Sequence, residues 1–203
     1  MDFININLFF YILAYLVSGI PFGYILAKKF AGVDVKNAGS GNIGATNVLR
    51  VVKEKDPVLA KKLGVATLAL DAIKGAVIVL IAMTLGLGSD VLWTIAVLSV
   101  VGHCFSPYLN FEGGKGVATA LGVLLVLLPL PTLAAVAVWF VSAKVLKISS
   151  LSSLIALIAL IAASYIITPS IPHAPIWIIA WIVFYKHIPN IKRIFNKEEG
   201  KVI

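Results

Sequence analysis

The chain has 203 residues, of which 60% are hydrophobic and 13% charged, and its mean hydropathy is +1.01. A soluble domain carries about 25% charged residues, so this chain could not cover a water-facing surface, and the apolar blocks leave no room for a separate soluble domain. One cysteine, Cys104, excludes an intramolecular disulfide and a cysteine-based metal site.

The start, Met1-Asp-Phe-Ile-Asn-Ile-Asn, places no Lys or Arg ahead of its apolar run. It reads as a retained first helix, not a cleaved leader. Apolar stretches broken by Gly, Pro and charge predict seven membrane spans, at 8–30, 63–87, 91–109, 116–130, 132–146, 151–168 and 175–188. The fourth, fifth and seventh are short for a hydrocarbon core of about 30 Å, and the fourth and fifth have a re-entrant hairpin around Pro129-Leu-Pro131 as their alternative. With the N-terminus outside, 16 of the 17 basic residues fall in the inner segments, at the inner ends of the spans or in the tail, and the outer loops contain none. The seventeenth is Lys74, inside the second span. By the positive-inside rule the C-terminus is cytoplasmic. The chain is therefore expected to be an all-α integral membrane protein, a single domain over 1–203, with its net charge of +8 concentrated on one face. That face attracts anionic lipid as well as setting topology.

After the first span comes Asn37-Ala-Gly-Ser-Gly-Asn-Ile-Gly-Ala-Thr-Asn-Val-Leu-Arg50. It contains a formal G-x-G-x-x-G, but a membrane helix precedes it where a dinucleotide fingerprint needs a strand. The loop physics survives without that fold. Glycines let backbone N–H groups converge on an anion, Ser40, Asn42, Thr46 and Asn47 add neutral hydrogen-bonding groups, and Arg50 supplies a fork suited to phosphate. A tight juxtamembrane turn is the alternative reading. In the second span, Asp71 and Lys74 sit roughly 12 and 16 Å deep, three residues apart. Ionisable groups at that depth mark a functional site by default, but the i, i+3 spacing favours a paired structural lock.

The next inner segment, Gly102-His-Cys-Phe-Ser-Pro-Tyr-Leu-Asn-Phe-Glu-Gly-Gly-Lys-Gly116, is no Walker A loop. Lys115, set among Gly113, Gly114 and Gly116, is nevertheless a candidate phosphate-binding cation. His103 is read as a hydrogen-bonded structural residue, and Glu112 as an exposed acid or the partner of a nearby lysine. Ser149-Ser-Leu-Ser-Ser153 joins the fifth and sixth spans on the same side. Where the last span ends, Lys186-His-Ile-Pro-Asn-Ile-Lys-Arg193 sets His187 and Asn190 three apart, on one face if the helix continues past Pro189. Lys192, Lys197 and Lys201 read as a basic stop-transfer tail. This inventory suits phosphate groups at the cytoplasmic surface. With few carboxylates in the inner segments, no metal, no cofactor and no nucleic acid partner is expected.

The chain resembles the bacterial acyl-phosphate:glycerol-3-phosphate acyltransferases of the membrane. The likeness rests on three motifs in order: Gly19-Ile-Pro-Phe-Gly-Tyr leading to Gly39-Ser-Gly-Asn-Ile-Gly-Ala-Thr-Asn-Val-Leu-Arg, then Gly102-His…Phe-Glu-Gly-Gly-Lys-Gly, then Lys186-His…Asn190-Ile…Arg193. The resemblance implies transfer of a fatty acyl group from acyl phosphate to the 1-hydroxyl of glycerol 3-phosphate, at the cytoplasmic side of a bacterial inner membrane. The products are lysophosphatidic acid and inorganic phosphate, in the first acylation of phospholipid synthesis. It also implies catalytic roles for Ser40, Arg50, Lys115, His187 and Asn190. Substrate or phosphate binding would fall to Asn42, Thr46, Gly113, Gly114, Ser153 and Arg193. Two positions depart from the motif: Lys186 stands for a usual arginine, and Lys197 where glycine is common. The chemistry fits, because an acyl phosphate is already activated and needs no enzyme nucleophile. The HxxxxD pair of many acyltransferases is absent, since Tyr108, Ile178 and Lys192 follow His103, His173 and His187 at that spacing. The base is then His187 or a substrate phosphate, whose second pKa is about 6. Two other readings remain: a small-anion or proton-coupled transporter using Asp71 and Lys74, and another enzyme of lipid phosphates. The transporter is disfavoured by the lack of internal repeats.

Overall fold

The computed structural model describes residues 3–201 and is all-helical over that range, with no strand among the described residues. Met1 and Asp2, part of the start read as a retained helix, lie outside it. The helices are α1 (Phe3–Gly19), α2 (Phe22–Ala31), α3 (Ala45–Lys53), α4 (Pro57–Thr84), α5 (Ser89–Cys104), α6 (Val117–Leu127), α7 (Pro129–Leu146), α8 (Ser149–Ile167), α9 (Ala174–Lys186) and α10 (Ile188–Phe195), with a 3-10 turn at Pro107–Leu109. Among the described residues, five stretches are long and apolar enough to cross a membrane: Ile6–Ala31 (α1 with α2), Pro57–Thr84, Ser89–Leu109, Pro129–Leu146 and Ser149–Ile167. Val117–Leu127 and Ala174–Lys186 are apolar but shorter.

The surface inverts the rule for soluble proteins. Phe9, Val77, Phe140, Ile158, Ile166 and Trp181 are all exposed, and hydrocarbon is the solvent that accommodates such a belt. Helix pairs approach closely where a residue lacks a side chain. A Cβ on Gly122 of α6 would collide with the Ala72 carbonyl of α4. α1 lies along α5, α6 along α4, and α7 along α8. α6 and α7 meet end to end at Leu128 and Pro129, and residues of both line a cavity with α8.

The first span is not the continuous helix expected over 8–30. Pro21 has no N–H to donate and its ring obstructs the preceding turn, so the helix stops at Gly19 and restarts at Phe22. The break frees backbone carbonyls deep in the bundle, and polar side chains from other helices take them up. Ser106 Oγ donates to the Gly19 carbonyl at 2.6 Å, and Lys74 Nζ to that of Ile20 at 2.9 Å. Lys74 also donates to Asp71 Oδ1 at 2.7 Å and to His103 Nδ1 at 3.0 Å, with all three side chains buried. The expected Asp71–Lys74 pair is thus part of a larger lock whose further job is to cap a broken helix.

A second, smaller core lies beneath the loop after α2. Val35, Ile43, Val48 and Val52 pack with Ala60 and Leu63 of α4. α3 presents Asn47, Val48, Val51 and Val52 to this core, at helical spacing. α4 begins at Pro57, earlier than the sequence reading placed the second span, because Asp56 caps it by accepting from the N–H groups of Val58 and Leu59 at 2.9 Å.

Candidate active site

The Gly-rich loop is built around one side chain. Asn47 Oδ1 accepts from the Ser40 N–H at 2.9 Å, and its Nδ2 donates to the carbonyls of Val35, Ala38 and Asn42 at 3.1, 3.1 and 2.8 Å. Gly39 (φ 60°) and Gly41 (φ 70°) take the left-handed turns this wrapping requires, and a Cβ on Gly39 would strike Asn47 Oδ1. Asn42 Oδ1 accepts from the Gly44 N–H at 2.8 Å and fixes the turn into α3. Thr46 Oγ1 lies 3.3 Å from Ser149 Oγ, which ties α3 to the start of α8. Arg50 lines the resulting cavity and makes no ion pair among the described residues.

The Lys115 loop is pinned to the end of α5. Gly113 N–H donates to the Cys104 carbonyl at 3.1 Å and Gly114 N–H to that of His103 at 3.0 Å. Gly114 rests on the His103 ring so closely that any Cβ there would collide with it. His103 is hydrogen-bonded as expected and joins the Asp71–Lys74 pair to this loop. Glu112 is exposed and pairs with Lys36 at 3.2 Å, bridging the two Gly-rich loops. Burial lowers the Lys115 ammonium to about 8; the Glu199 carboxylate opposes this, while Arg193 and Arg50 add to it.

His187 and Asn190 are both buried, and both face the cavity although Pro189 lies between them. α9 passes into α10 through His187, whose backbone stays near helical, so the i, i+3 relation survives. His187 Nδ1 lies 2.7 Å from the Val183 carbonyl. A carbonyl only accepts, so the proton is on Nδ1 and Nε2 keeps its lone pair. Burial, then Lys115, lower His187 to about 4, so it is neutral at physiological pH. Asn190 Nδ2 donates to Glu199 Oε1 at 2.6 Å, while its Oδ1 is buried with no hydrogen-bond partner among the described residues. A carboxylate must receive the amide N–H, and that orientation leaves Oδ1 as an open acceptor.

Two cavities share this site. One, of about 340 Å³, runs from Ser40, Asn42, Thr46, Arg50, Lys115, His187 and Asn190 into apolar depth between α6, α7 and α8, past Leu121, Leu124, Val136, Trp139, Leu157 and Leu160. The other, of about 370 Å³, is bounded by Gly41, Gly113, Lys186, Pro189 and Arg193. Ser40, Asn42, Lys115 and Asn190 line both. The candidate catalytic and binding residues named from the sequence, Ser153 and Gly113 included, line at least one of the two, except Gly114, which is buried against His103. Ser153 is occupied structurally: it donates to the Ser149 carbonyl at 2.9 Å and accepts from Trp139 Nε1 at 3.1 Å. Lys186 lies 5.0 Å over the Phe105 ring, a contact that needs no guanidinium fork.

The glycerol-3-phosphate acyltransferase family matches residues 8–197. The chain belongs to that family. It is 62% identical to the glycerol-3-phosphate acyltransferase of a Nitratiruptor species, over all of this chain and 99% of that one. It is 60% identical to that of Sulfurimonas denitrificans over the whole of both chains. Among solved structures it is similar to PlsY, an integral membrane glycerol 3-phosphate acyltransferase, in the glycerol 3-phosphate form: TM-score 0.85, 36% identity, covering 96% of this chain and 94% of the other. The lysophosphatidic acid form of PlsY matches with a TM-score of 0.83.

The sequence reading missed Ser150 and Glu199. Ser150 Oγ donates to Glu199 Oε1 at 2.7 Å, and Ser150 lines the cavity beside Ser153. The signal for Ser150 was present, since it lies one helical turn from Ser153 on the same face.

Proposed function

We propose that this enzyme moves a fatty acyl group from acyl phosphate to the 1-hydroxyl of glycerol 3-phosphate, giving lysophosphatidic acid and inorganic phosphate. The observation that carries the reading is the meeting of an apolar cavity and a polar one at Ser40, Asn42, Lys115 and Asn190. A lipid chain lies between α6, α7 and α8, the glycerol phosphate occupies the polar side, and the acyl carbonyl sits where the two meet. The glycerol hydroxyl donates to the free Nε2 lone pair of neutral His187 and attacks the carbonyl carbon. Lys115 and Arg50 hold the phosphate charge, the Ser40 hydroxyl supports the oxyanion, and the bond from the carbonyl carbon to the phosphate oxygen breaks. At about 4, His187 is a weak base at neutral pH. The hydroxyl proton passes to a phosphate oxygen, whose second pKa of about 6 is better matched, and neutral His187 orients the reactants through Nε2.

Purified protein given labelled glycerol 3-phosphate should form lysophosphatidic acid with palmitoyl phosphate and none with palmitoyl-CoA or acyl-carrier protein. It should do so in the presence of chelator. Turnover with palmitoyl-CoA would overturn the donor assignment.

The reading places one domain in a bacterial inner membrane, with seven crossings and the site on the cytoplasmic side. α6 and α9 are the short crossings, tolerated by local thinning and by protein neighbours. In a Cys104→Ser background, a cysteine at Ser170, which is exposed, should react with an impermeant thiol reagent on intact cells. One at Lys55, also exposed, should react only after lysis. Labelling of Lys55→Cys from outside would reverse the orientation.

A further inference from the structure

The chain beyond α10 turns back into the site. Lys197 adopts φ 59°, its N–H donates to the Ile194 carbonyl, and the Glu198 N–H returns to that of Arg193 at 2.8 Å. Glycine is the usual residue in this helix-ending turn, and a lysine there is strained by roughly 1 kcal/mol. The turn forms nonetheless, and it carries Glu199 into the mouth of the apolar cavity. The Glu199 side chain is only 8% exposed. Its Oε1 accepts from Ser150 Oγ at 2.7 Å and Asn190 Nδ2 at 2.6 Å, and its Oε2 from Arg193 Nε at 2.7 Å. The next residue brings the chain against Arg50: a Cβ on Gly200 would sit 3.5 Å from the Arg50 guanidinium.

A hydroxyl, an amide and a guanidinium, from α8 and α10, thus converge on one carboxylate. Burial pushes the Glu199 carboxyl up, but the bonds from Arg193, Ser150 and Asn190 outweigh it and hold the group below its usual range, as a carboxylate. The fit is incomplete on one side. A carboxylate cannot donate, so Asn190 Oδ1 is left buried with no partner among the described residues. A phosphate group that keeps one proton accepts the same three bonds and also donates to Oδ1.

On the phosphate-handling reading above, we propose that Glu199 is a tethered competitor at a phosphate subsite formed by Ser150, Asn190 and Arg193. A phosphate-bearing ligand displaces it, and its return promotes release of inorganic phosphate. A group on a short tether has an effective concentration in the millimolar range, so the carboxylate sets how much phosphate the site needs.

Calorimetric titration of inorganic phosphate into the purified full chain tests this without any acyl transfer. Glu199→Gln removes the charge and keeps the size, and should tighten phosphate binding by about tenfold. Glu199→Ala, with no acceptor left, should move in the same direction. Glu198→Gln removes the same charge one residue away, on an exposed side chain, and should leave the affinity as it was. Phosphate binding that is absent from all the proteins, or no tighter in either Glu199 variant, overturns the proposal. Lack of turnover with palmitoyl phosphate would sink the donor reading and leave this result standing.

Discussion

Lys115→Ala should lower turnover by roughly 10²–10³, the loss seen when one donor to a developing anion is removed. Lys115 lines both cavities and is the one cation of its loop. The backbone around it is fixed by the bonds from Gly113 and Gly114 to the end of α5, so its position is set before substrate arrives. Arginine should rescue poorly, because a planar fork does not replace a compact ammonium in a tight loop. The pH profile gives a second readout. Burial brings Lys115 to about 8, below the ordinary lysine value, so it is charged below that pH and neutral above it. kcat/KM, which reports the free enzyme, should therefore fall as pH rises through about 8. Bound phosphate favours the charged form, so the same limb in kcat should lie at higher pH. A folded Lys115→Ala enzyme that keeps more than half its turnover would remove Lys115 from the chemistry and leave Arg50 as the leading cation. Lys201→Ala, on an exposed tail residue, is the control that should change little.

Much of this site was legible because its parts are local. Ser40, Asn42, Thr46 and Arg50 belong to one loop and one short helix, and Lys115 stands alone among glycines, so composition over a dozen residues points at them. His187 and Asn190 needed only helical spacing. What was hidden is long-range. Glu199 lies 49 residues from Ser150, and nothing in Asn-Lys-Glu-Glu-Gly distinguishes it from Glu198, which is exposed. Its placement depends on Lys197 holding a turn that glycine would take more easily, and a reading by propensity expects no such turn there. Asn47 appeared as one more polar loop residue, yet it holds four backbone groups in place. The break at Pro21 was readable, since proline inside an apolar span breaks or kinks it. Which groups would satisfy the freed carbonyls was not, because Lys74 and Ser106 come from spans 54 and 87 residues away.

That same break governs the response to Lys74→Met, which should cost about 3–5 kcal/mol of stability, as expected when one member of a buried ion pair is removed. The substitution strands Asp71 as a buried charge and leaves the Ile20 carbonyl, freed by Pro21, without its donor. The double variant Asp71→Leu/Lys74→Met retains no buried charge and should be no less stable than Lys74→Met alone, recovering part of the loss. It should not reach the parent, because the Ile20 carbonyl and His103 Nδ1 still lack the ammonium. Unfolding in mixed micelles with increasing dodecyl sulfate measures all three proteins. If Asp71 and Lys74 instead formed a transport site, they would be adapted to water or a passing ion, and neutralising them would hardly alter the unfolding midpoint. A midpoint unchanged in Lys74→Met would reject the lock. A double variant much worse than the single would show that Asp71 contributes through something other than its pairing with Lys74.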